Sequence, residues 1–386
     1  MDPTRVRVQW HSTPRRYFKE SPIAHVTRRR YYLSFGPTLL ACTGTQVCVM
    51  HFYYLLFAAR GKKTPEEQFE KHCLHNSYKY YWDYECNEPL VASSKLTATS
   101  SRVDRGPENA KLYGEWAFNV SNWVPTEEEI LAASSYIQPE EKERISKFVF
   151  KNDAKSALIG RLMIRNFIKI STCISYEEIT LGRDELGKPI LTNSNNHNPH
   201  FNISHQGDFV VLIGDIENEV GIDIMKIEPP ANKNIPEFFR LMRRQFSPKE
   251  WENIYTFHRE AEQMESFYRH WCLKESYVKN IGIGLRVNLA EISFDVKTPK
   301  LKVGQIVTDT NLYVKNVLQE GWVFEETLLD EKHAIAIACH PNEKSQWFPS
   351  LYTFITFEEL IKEAKPINAP DDDFKNKFMK MLIKTF

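Results

Sequence analysis

From about residue 111 onward, the sequence predicts a folded domain of mixed helices and strands. Two stretches carry capping-box signals for helix starts, Thr126 with Glu129 and Ser247 with Glu250. Short apolar runs with the alternation or continuity of strands lie between the predicted helices. The chain has 386 residues, of which 42% are hydrophobic, so it can bury a full core and form two compact units.

The first elements follow from local patterns. Residues Tyr113 to Val120 alternate like a strand, and Thr126 opens a helix. Gln138-Pro139-Glu140-Glu141 opens a second helix, because proline suits the first turn and acids suit the positive end of the helix dipole. Ala154 to Ile170 has the periodicity of an amphipathic helix. Short strands are then predicted at Ile179–Leu181, Phe209–Ile213 and Val220–Met225, and the stretch Phe201–Asp208 is predicted to run from a strand into a polar turn.

The second part of the domain is predicted in the same way. Pro236 to Phe246 and the segment opened by Ser247-Pro248 predict helices. Apolar residues cover most of the circumference of the helix around Trp271 to Lys279, so we expect it to be buried and to stop at the glycines that follow. Later strands are predicted at Glu291–Val296, Gly321–Glu325 and Ala334–Cys339, with Phe354–Ile361 passing from strand to helix. The residues beyond Pro366 are polar, and we expect them to be loose apart from 374–383.

The composition excludes some classes of partner. The 50 basic residues balance the 50 acidic residues, so no net field favours nucleic acid, and we expect no nucleic-acid partner. The seven cysteines form no C-x-x-C pair or other zinc spacing, which favours a reducing compartment over a disulfide framework. We therefore expect a cytoplasmic protein.

Residues 1–110 differ from the rest, and we interpret them as an N-terminal extension and linker of unknown function. The run from Tyr31 to Ala59 contains no Lys, Arg, Asp or Glu and is long enough to span a bilayer. Gly36, Pro37 and His51 dilute its hydropathy. A membrane contact through 31–59, a disordered extension, a buried accessory segment and a doubtful translation start all stay open.

Two carboxylates and a lysine occur among apolar residues. Ile222 and Ile224 share one face of their strand, so Asp223 projects from the other, where a carboxylate is costly without a cation or donors. Glu275 and Lys279 are spaced i,i+4 and lie on one face of the apolar helix. A solvated salt bridge, and an edge strand with Asp223 in solvent, are the alternatives.

Asp223 and Glu275 are a sufficient protein contribution to a Mg²⁺ site, because this ion also takes substrate phosphate oxygens and waters. The pair therefore favours phosphate chemistry. The sequence has no Walker A motif, no kinase glycine-rich loop and no H-E-x-x-H, which excludes the usual nucleotide and zinc sites.

Gly221-Ile222-Asp223, followed later by Trp271-Cys272-Leu273-Lys274-Glu275-Ser276-Tyr277-Val278-Lys279, resembles the paired signature of the large, surfactin-synthetase-type class of 4′-phosphopantetheinyl transferases. The stretches 138–150, 160–165, 201–207, 221–226 and 236–239 look like the animal branch of that family. The resemblance runs from about residue 111 to 360, and nothing in 1–110 belongs to it.

The resemblance implies an α+β fold with two similar halves, related by a pseudo-twofold axis, and with the site in the cleft between them. We expect the halves at residues 111–215 and 216–362, followed by a C-terminal tail at 363–386. The implied reaction transfers the 4′-phosphopantetheine arm from coenzyme A to a serine of an apo acyl-carrier protein domain. The implied enzyme is a magnesium-dependent monomer that releases adenosine 3′,5′-bisphosphate.

The resemblance also implies roles for single residues. Asp223 and Glu275 match the magnesium ligands, Glu275 also matches the catalytic base, and Lys279 matches the catalytic partner of the phosphates. Met225 stands where many members have a third acidic residue, so Gln206 or water would have to complete the metal coordination. The positions that match coenzyme A binding are Arg144, Arg183, Asp184, Glu185, Leu186, Gly187, Lys188, Asn202, Ile203, Ser204, His205, Glu275 and Lys279.

Carrier domains of this kind are commonly acidic around the modified serine. We therefore predict a basic docking face made of Lys226, Lys233, Arg240, Arg243 and Arg244. The rival interpretations are a catalytically inactive binder of coenzyme A or carrier domains, a membrane-tethered interaction protein, and a metal-dependent phosphatase or nuclease. The neutral charge argues against a nuclease.

Overall fold

The computed structural model describes residues 113–383 apart from 173, 185, 186, 188, 194–198, 231–233, 283–286, 343, 344, 346 and 348. The run from Tyr31 to Ala59 lies outside the described residues. Within the described part of the chain, no helix is both long and apolar enough to cross a membrane.

Helices and strands are mixed along the chain, which confirms the predicted α+β class. In the first part they are β1 (Tyr113–Asn119), α1 (Glu127–Ser135), α2 (Pro139–Ile145), α3 (Lys151–Ser171), β2 (Leu181–Arg183), β3 (Pro189–Leu191), β4 (His200–Gln206) and β5 (Phe209–Asp215). They continue with β6 (Val220–Lys226), α4 (Ile235–Met242), α5 (Pro248–Tyr255), α6 (Glu260–Ile281), β7 (Ile292–Asp295), β8 (Asn311–Val314) and β9 (Val317–Leu318). The last elements are β10 (Val323–Asp330), β11 (His333–Cys339), β12 (Thr353–Phe354), α7 (Phe357–Ile361) and α8 (Asp372–Met379). The pseudo-twofold relation between the halves stays a prediction.

The predicted helix ends are formed by the residues expected to form them. Thr126 Oγ1 accepts a hydrogen bond from the Glu129 backbone at 3.1 Å, and the Glu129 carboxylate accepts one from the Thr126 backbone at 2.8 Å. Ser247 and Glu250 form the same reciprocal pair at the start of α5. Such caps stabilise a helix by about 1 kcal/mol. Gly282, with a φ of 60°, ends α6 in the left-handed conformation that glycine tolerates.

Two antiparallel sheets form the centre of the described domain. One has four strands in the order β12-β1-β5-β4, with only β12 and β1 parallel, and the other has three in the order β10-β11-β6. Helix α3 packs on the first sheet through a cluster that we call the first core, and α6 packs on the second sheet through the second core. A middle core, which includes Val211, Ile222 and Ile335, lies between the sheets. The order of layers is therefore helix, sheet, sheet, helix.

The C-terminal segment belongs to the fold, including residues before 374 that we expected to be loose. Phe374 and Phe378 are buried in the first core. The backbone of Ile367 donates to the Ser135 carbonyl at 2.8 Å, and that of Asp371 donates to Ser134 Oγ at 2.9 Å. The two phenylalanines, spaced i,i+4 on α8, supply the apolar surface that holds the segment in place.

Candidate active site

The close approach of β6 to α6 depends on Gly221. A Cβ atom at this position would lie 2.1 Å from the Ser276 carbonyl oxygen and 2.5 Å from the Asn280 backbone nitrogen. Only glycine therefore fits where the strand crosses the helix. Asn280 fixes the same contact, because its side-chain amide donates to the carbonyls of Glu219 at 2.8 Å and Ala338 at 3.0 Å.

This approach buries Asp223 beside Lys279. The Lys279 ammonium donates to Asp223 Oδ1 at 2.7 Å, to Ser204 Oγ at 2.9 Å and to the Ile222 carbonyl at 2.9 Å. The Ser204 hydroxyl also donates to Asp223 Oδ1, at 2.9 Å. Asp223 is 0% exposed and Lys279 1% exposed, so both the solvated pair and the solvent-facing edge strand are wrong.

Glu275 lies one turn before Lys279 on α6 and is 1% exposed. Burial, followed by the negative charge of Asp223, raises the pKa of Glu275 to about 8, against the opposing effect of Lys279. Burial also raises the pKa of Asp223, although Lys279 and Ser204 favour its ionised form. Both carboxyl groups are therefore buried where β6 meets α6, and their role as metal ligands stays a prediction.

The two carboxylates have the chemistry that a magnesium ion requires. Asp223 Oδ2 and Glu275 Oε2 are buried and accept no hydrogen bond in the described structure. Buried carboxyl oxygens without donors are costly, and coordination of a cation is one way to satisfy such oxygens. No group of three or more His, Cys, Asp or Glu residues that could hold a metal occurs in the part of the chain described here.

Met225 and Gln206, the two residues considered for the remaining metal coordination, both have other contacts. Met225 is buried in the second core, among the apolar side chains of α6. The Gln206 side-chain oxygen accepts a hydrogen bond from the Lys226 backbone. Met225 is therefore a packing residue, and the oxygen of Gln206 is engaged by the backbone of β6.

Strands β4 and β6 are joined by side chains, an arrangement we call the β4–β6 seam. Asn202, Ser204 and Gln206 alternate along β4 and point towards β6. Asn202 Oδ1 accepts from the Ile222 backbone at 2.9 Å, and Gln206 Oε1 accepts from the Lys226 backbone. Together with Ser204, which reaches Asp223, these side chains take the place of a backbone ladder between the two sheets.

A second group of predicted site residues gathers around Glu141, a residue that the sequence analysis did not select. Its carboxylate accepts from Arg144 Nε at 2.8 Å and from Arg183 Nη2 at 3.1 Å, and it lies 3.3 Å from Arg161 Nε. We call these four residues the Glu141 cluster. Burial, with a smaller effect of Arg183, holds the pKa of Arg161 well below its usual range. The i,i+3 spacing of Glu141 and Arg144 was the available signal in the sequence.

The turn after Arg183 is fixed to α2. The Leu181 backbone donates to Gln138 Oε1 at 2.7 Å, which anchors β2. Arg183 Nη1 donates to the Gly187 carbonyl at 2.7 Å, and the Gly187 backbone donates to the Asp184 carbonyl at 3.0 Å. Gly187 has a φ of 86°, which favours glycine. The predicted positions Glu185, Leu186 and Lys188 lie outside the described residues.

The predicted residues thus divide into two groups. Asn202 and Ser204 face β6 and belong with Asp223, Glu275 and Lys279, while Arg144 and Arg183 belong to the Glu141 cluster. Ile203 is buried in the first core, and His205 is partly buried on the same side of β4.

Two family models of known proteins match adjacent parts of the chain. Residues 121–217 match the family described as 4′-phosphopantetheinyl transferase, N-terminal, and residues 219–338 match the 4′-phosphopantetheinyl transferase superfamily. L-Aminoadipate-semialdehyde dehydrogenase-phosphopantetheinyl transferase of Mus musculus is 43% identical over 274 residues, which cover 67% of this chain and 88% of the relative. The Homo sapiens protein with that name is 42% identical over 273 residues, with the same coverage. The 4′-phosphopantetheinyl transferase Sfp of Bacillus subtilis is 28% identical over 229 residues, 59% of this chain and 91% of the relative.

Proposed function

Because this chain belongs to the 4′-phosphopantetheinyl transferase superfamily, we propose that it transfers the 4′-phosphopantetheine arm from coenzyme A to a serine of an apo acyl-carrier domain. The second product of this reaction is adenosine 3′,5′-bisphosphate. The observation that carries the proposal is that the residues of the paired signature, Asp223, Glu275 and Lys279, are all buried where β6 packs on α6, with Lys279 hydrogen-bonded to Asp223.

The charges of this site suit the transfer of a phosphoryl group, which requires alignment and charge neutralisation more than covalent help. Asp223 Oδ2 and Glu275 Oε2 would hold a magnesium ion, and this ion would neutralise the phosphate oxygens of the donor when bound. Lys279 places a second positive charge beside Asp223, within a buried site where electrostatic interactions are strong.

Glu275 is suited to accept the proton of the attacking serine hydroxyl. Its pKa of about 8 lies well above the ordinary carboxyl range, because burial and Asp223 both disfavour the charge. A bound cation would favour the ionised carboxylate, which can take the proton as the serine oxygen attacks, directly or through a water. The backbone contact at Gly221 fixes the helix that carries Glu275, so the carboxylate is positioned before the substrates arrive.

The proposed reaction is tested by incubating an apo-carrier domain with the protein, Mg²⁺ and coenzyme A, and measuring the carrier by mass spectrometry. We expect a mass gain equal to the phosphopantetheine arm, and no gain when a chelator removes Mg²⁺. Asp223→Asn and Glu275→Gln should lose transfer, whereas Glu143→Gln, an exposed carboxylate on α2, should not. An unmodified carrier with the wild-type protein would leave an inactive binder as the better interpretation.

We propose further that the carrier docks against three exposed arginines near α4. Arg240, Arg243 and Arg244 form no ion pair within the described ranges. The proposed docking face is smaller than the one predicted from the sequence. Lys226 forms an ion pair with Asp208 at 2.8 Å, and Lys233 lies outside the described residues.

The double substitution Arg243→Glu with Arg244→Glu tests this docking face. It should raise the KM for the carrier with little change in the KM for coenzyme A, because charge reversal repels an acidic partner. Lys302→Glu, at an exposed site on the segment between β7 and β8, is the matched control. Unchanged KM values for both substrates in the double variant would place docking elsewhere.

A further inference from the structure

Two buried ion pairs join α6 to elements other than β6. The Lys274 ammonium lies 2.8 Å from a carboxylate oxygen of Glu250 on α5, and both side chains are 0% exposed. The Arg269 guanidinium lies 2.6 Å from Glu326 on β10, and these side chains are 5% and 0% exposed. Neither pair contains a residue of the site described above, although Lys274 directly precedes Glu275 in the chain.

The winding of the helix determines on which side of Glu275 each ion pair lies. An α-helix has about 3.6 residues per turn, so neighbouring side chains differ in direction by about 100°. Lys274 therefore points about 100° to one side of Glu275, and Arg269, six positions earlier, points about 120° to the other side. Lys279 lies four positions later and differs by only about 40°, so it shares the face of Glu275. The face that carries the site thus has one buried ion pair on each flank.

The Lys274 ammonium has three acceptors within hydrogen-bond distance. Glu250 Oε2 lies 2.8 Å from Nζ, and Nζ also donates to the carbonyls of Leu289 at 2.8 Å and Ile292 at 2.5 Å. A lysine ammonium has three donors, so these acceptors use its full capacity. Glu250 lies on α5 and Ile292 begins β7, so one buried group joins α6 to two other elements.

Glu250 is held in place by the start of its own helix. Its Oε2 accepts a hydrogen bond from the Ser247 backbone at 2.8 Å, and Ser247 Oγ accepts one from the Glu250 backbone at 3.3 Å. The same carboxylate oxygen therefore caps α5 and faces the ammonium of Lys274. Because the carboxylate is fixed to a helix end, it also fixes Lys274 and the turn of α6 that carries Glu275.

We infer that Glu250 and Lys274 are positioning residues for Glu275. Their ion pair fixes the rotation of α6 about its own axis, so that Glu275 stays on the side of the helix where Lys279 meets Asp223. The Lys274 ammonium acts through the backbone of the helix, because its protons are directed to acceptors on α5 and on residues 289–292. This inference rests on the proposed function for the role of Glu275, and it gives a task to Glu250, which lies outside the paired signature.

A small rotation of α6 is sufficient to disturb the site. The end of a side chain lies about 5–6 Å from the helix axis, so a rotation of about 10° displaces it by about 1 Å. A misplacement of about 1 Å can lower the rate of a reaction about 100-fold. The close contact at Gly221 sets the distance between β6 and α6. The contacts of Lys274 on the flank of the helix oppose the rotation.

The experiment removes this ion pair without leaving a buried charge unpaired. The double substitution Glu250→Gln with Lys274→Met replaces both charged groups by neutral side chains, and glutamine can keep the capping box of α5. The matched control is Glu326→Gln with Arg269→Met, which removes the ion pair on the other flank. Arg269 lies six residues before Glu275, about 9 Å along the helix axis, so the control leaves the contacts of the nearer turn in place.

Both double variants should be less stable than wild type in urea denaturation, because each leaves buried backbone carbonyls without their donors. In the mass assay, with kcat referred to the folded protein, only the variant at Glu250 and Lys274 should lose kcat, by about 10- to 100-fold. The KM for coenzyme A should stay within about threefold of wild type in both variants, since β2 and β4 are unchanged. An equal fall in kcat in both double variants would indicate a general structural role and overturn the inference. Wild-type kcat in both would overturn it as well.

The single substitutions Glu250→Gln and Glu326→Gln supply the same comparison if a double variant fails to fold. A charged acceptor makes a hydrogen bond roughly twice as strong as a neutral one, so glutamine at position 250 should loosen the contact with Lys274. We expect kcat to fall about three- to tenfold in Glu250→Gln and to match wild type in Glu326→Gln. Equal kcat values in the two single variants would contradict the positioning role.

Crystal structures of wild type and the double variants keep this inference distinct from the proposed reaction. Relative to β6, Glu275 should move by more than about 0.5 Å in the variant at Glu250 and Lys274, and by less in the control, since functional groups need placement within about 0.5 Å. If this shift occurs but wild type modifies no carrier, the proposed reaction fails and the positioning role stands. If wild type modifies the carrier and Glu275 keeps its place in the variant, the positioning role fails and the reaction stands.

Discussion

Replacing Gly221 with alanine tests whether the contact between β6 and α6 sets the geometry of the site. The new Cβ would lie 2.1 Å from the Ser276 carbonyl oxygen and 2.5 Å from the Asn280 nitrogen. Both are backbone atoms, so no side chain can rotate away. Since real Cβ contacts are essentially never shorter than 3.0 Å, strand and helix must separate by at least 3.0 − 2.1 = 0.9 Å.

This separation moves Glu275 and Lys279 relative to Asp223, because the first two lie on the helix and the third on the strand. A displacement of about 1 Å at a reacting centre can lower the rate about 100-fold. That factor corresponds to about 2.7 kcal/mol of transition-state stabilisation. Overpacking should also lower the free energy of unfolding by about 1–3 kcal/mol.

The assay measures kcat for carrier modification by mass spectrometry, together with urea denaturation of the same preparations. Gly160→Ala is the matched control, because its new Cβ would meet only the end of the Ile203 side chain, at 3.0 Å. We expect this control to retain wild-type kcat. If Gly221→Ala also retained wild-type kcat and stability, the claim that this contact positions the catalytic residues would be refuted.

Three further substitutions test other parts of the structure. Lys279→Met leaves Asp223 buried without its cation, so transfer should be lost and urea denaturation should show a destabilisation of about 3–5 kcal/mol. Phe378→Ala leaves a cavity where α8 meets the first core, which should cost about 3–5 kcal/mol in urea denaturation. Its kcat should match wild type in the mass assay, and a large loss would contradict a purely structural role. Burial raises the pKa of Asp215 to about 6 from 3.8, so the stability contributed by its protonated form is present below pH 3.8 and lost as the pH rises through 6. Relative to wild type, Asp215→Asn should therefore gain up to about 3 kcal/mol between pH 4 and pH 7 in urea denaturation, and a constant difference would contradict the shift.

The features that the sequence analysis predicted correctly depend on neighbours along the chain. The capping box at Thr126 spans one helical turn. Asp223 and Ile222 project from opposite faces of their strand, which follows from strand alternation. The burial of Glu275 followed from the apolar residues around its helix. Such short-range patterns determine the elements and the faces they bury.

The features that could not be predicted from the sequence depend on contacts between residues that are distant in the chain. Glu141 meets Arg161 and Arg183 only because α2, α3 and β2 converge, and no periodicity encodes that meeting. The contact of Asn202 with the Ile222 backbone likewise requires two sheets to face each other. The residues between Pro366 and Phe374 were expected to be loose because they are polar, and their backbone hydrogen bonds to α1 leave no signal in the sequence.

The β4–β6 seam has a consequence for how such a protein can vary. A backbone ladder forms with almost any side chains, so substitutions rarely open or close it. The junction between these two sheets instead depends on the side chains of Asn202, Ser204 and Gln206. Substitutions at these positions can therefore change the separation of β4 and β6 while leaving the hydrogen bonding inside each sheet intact.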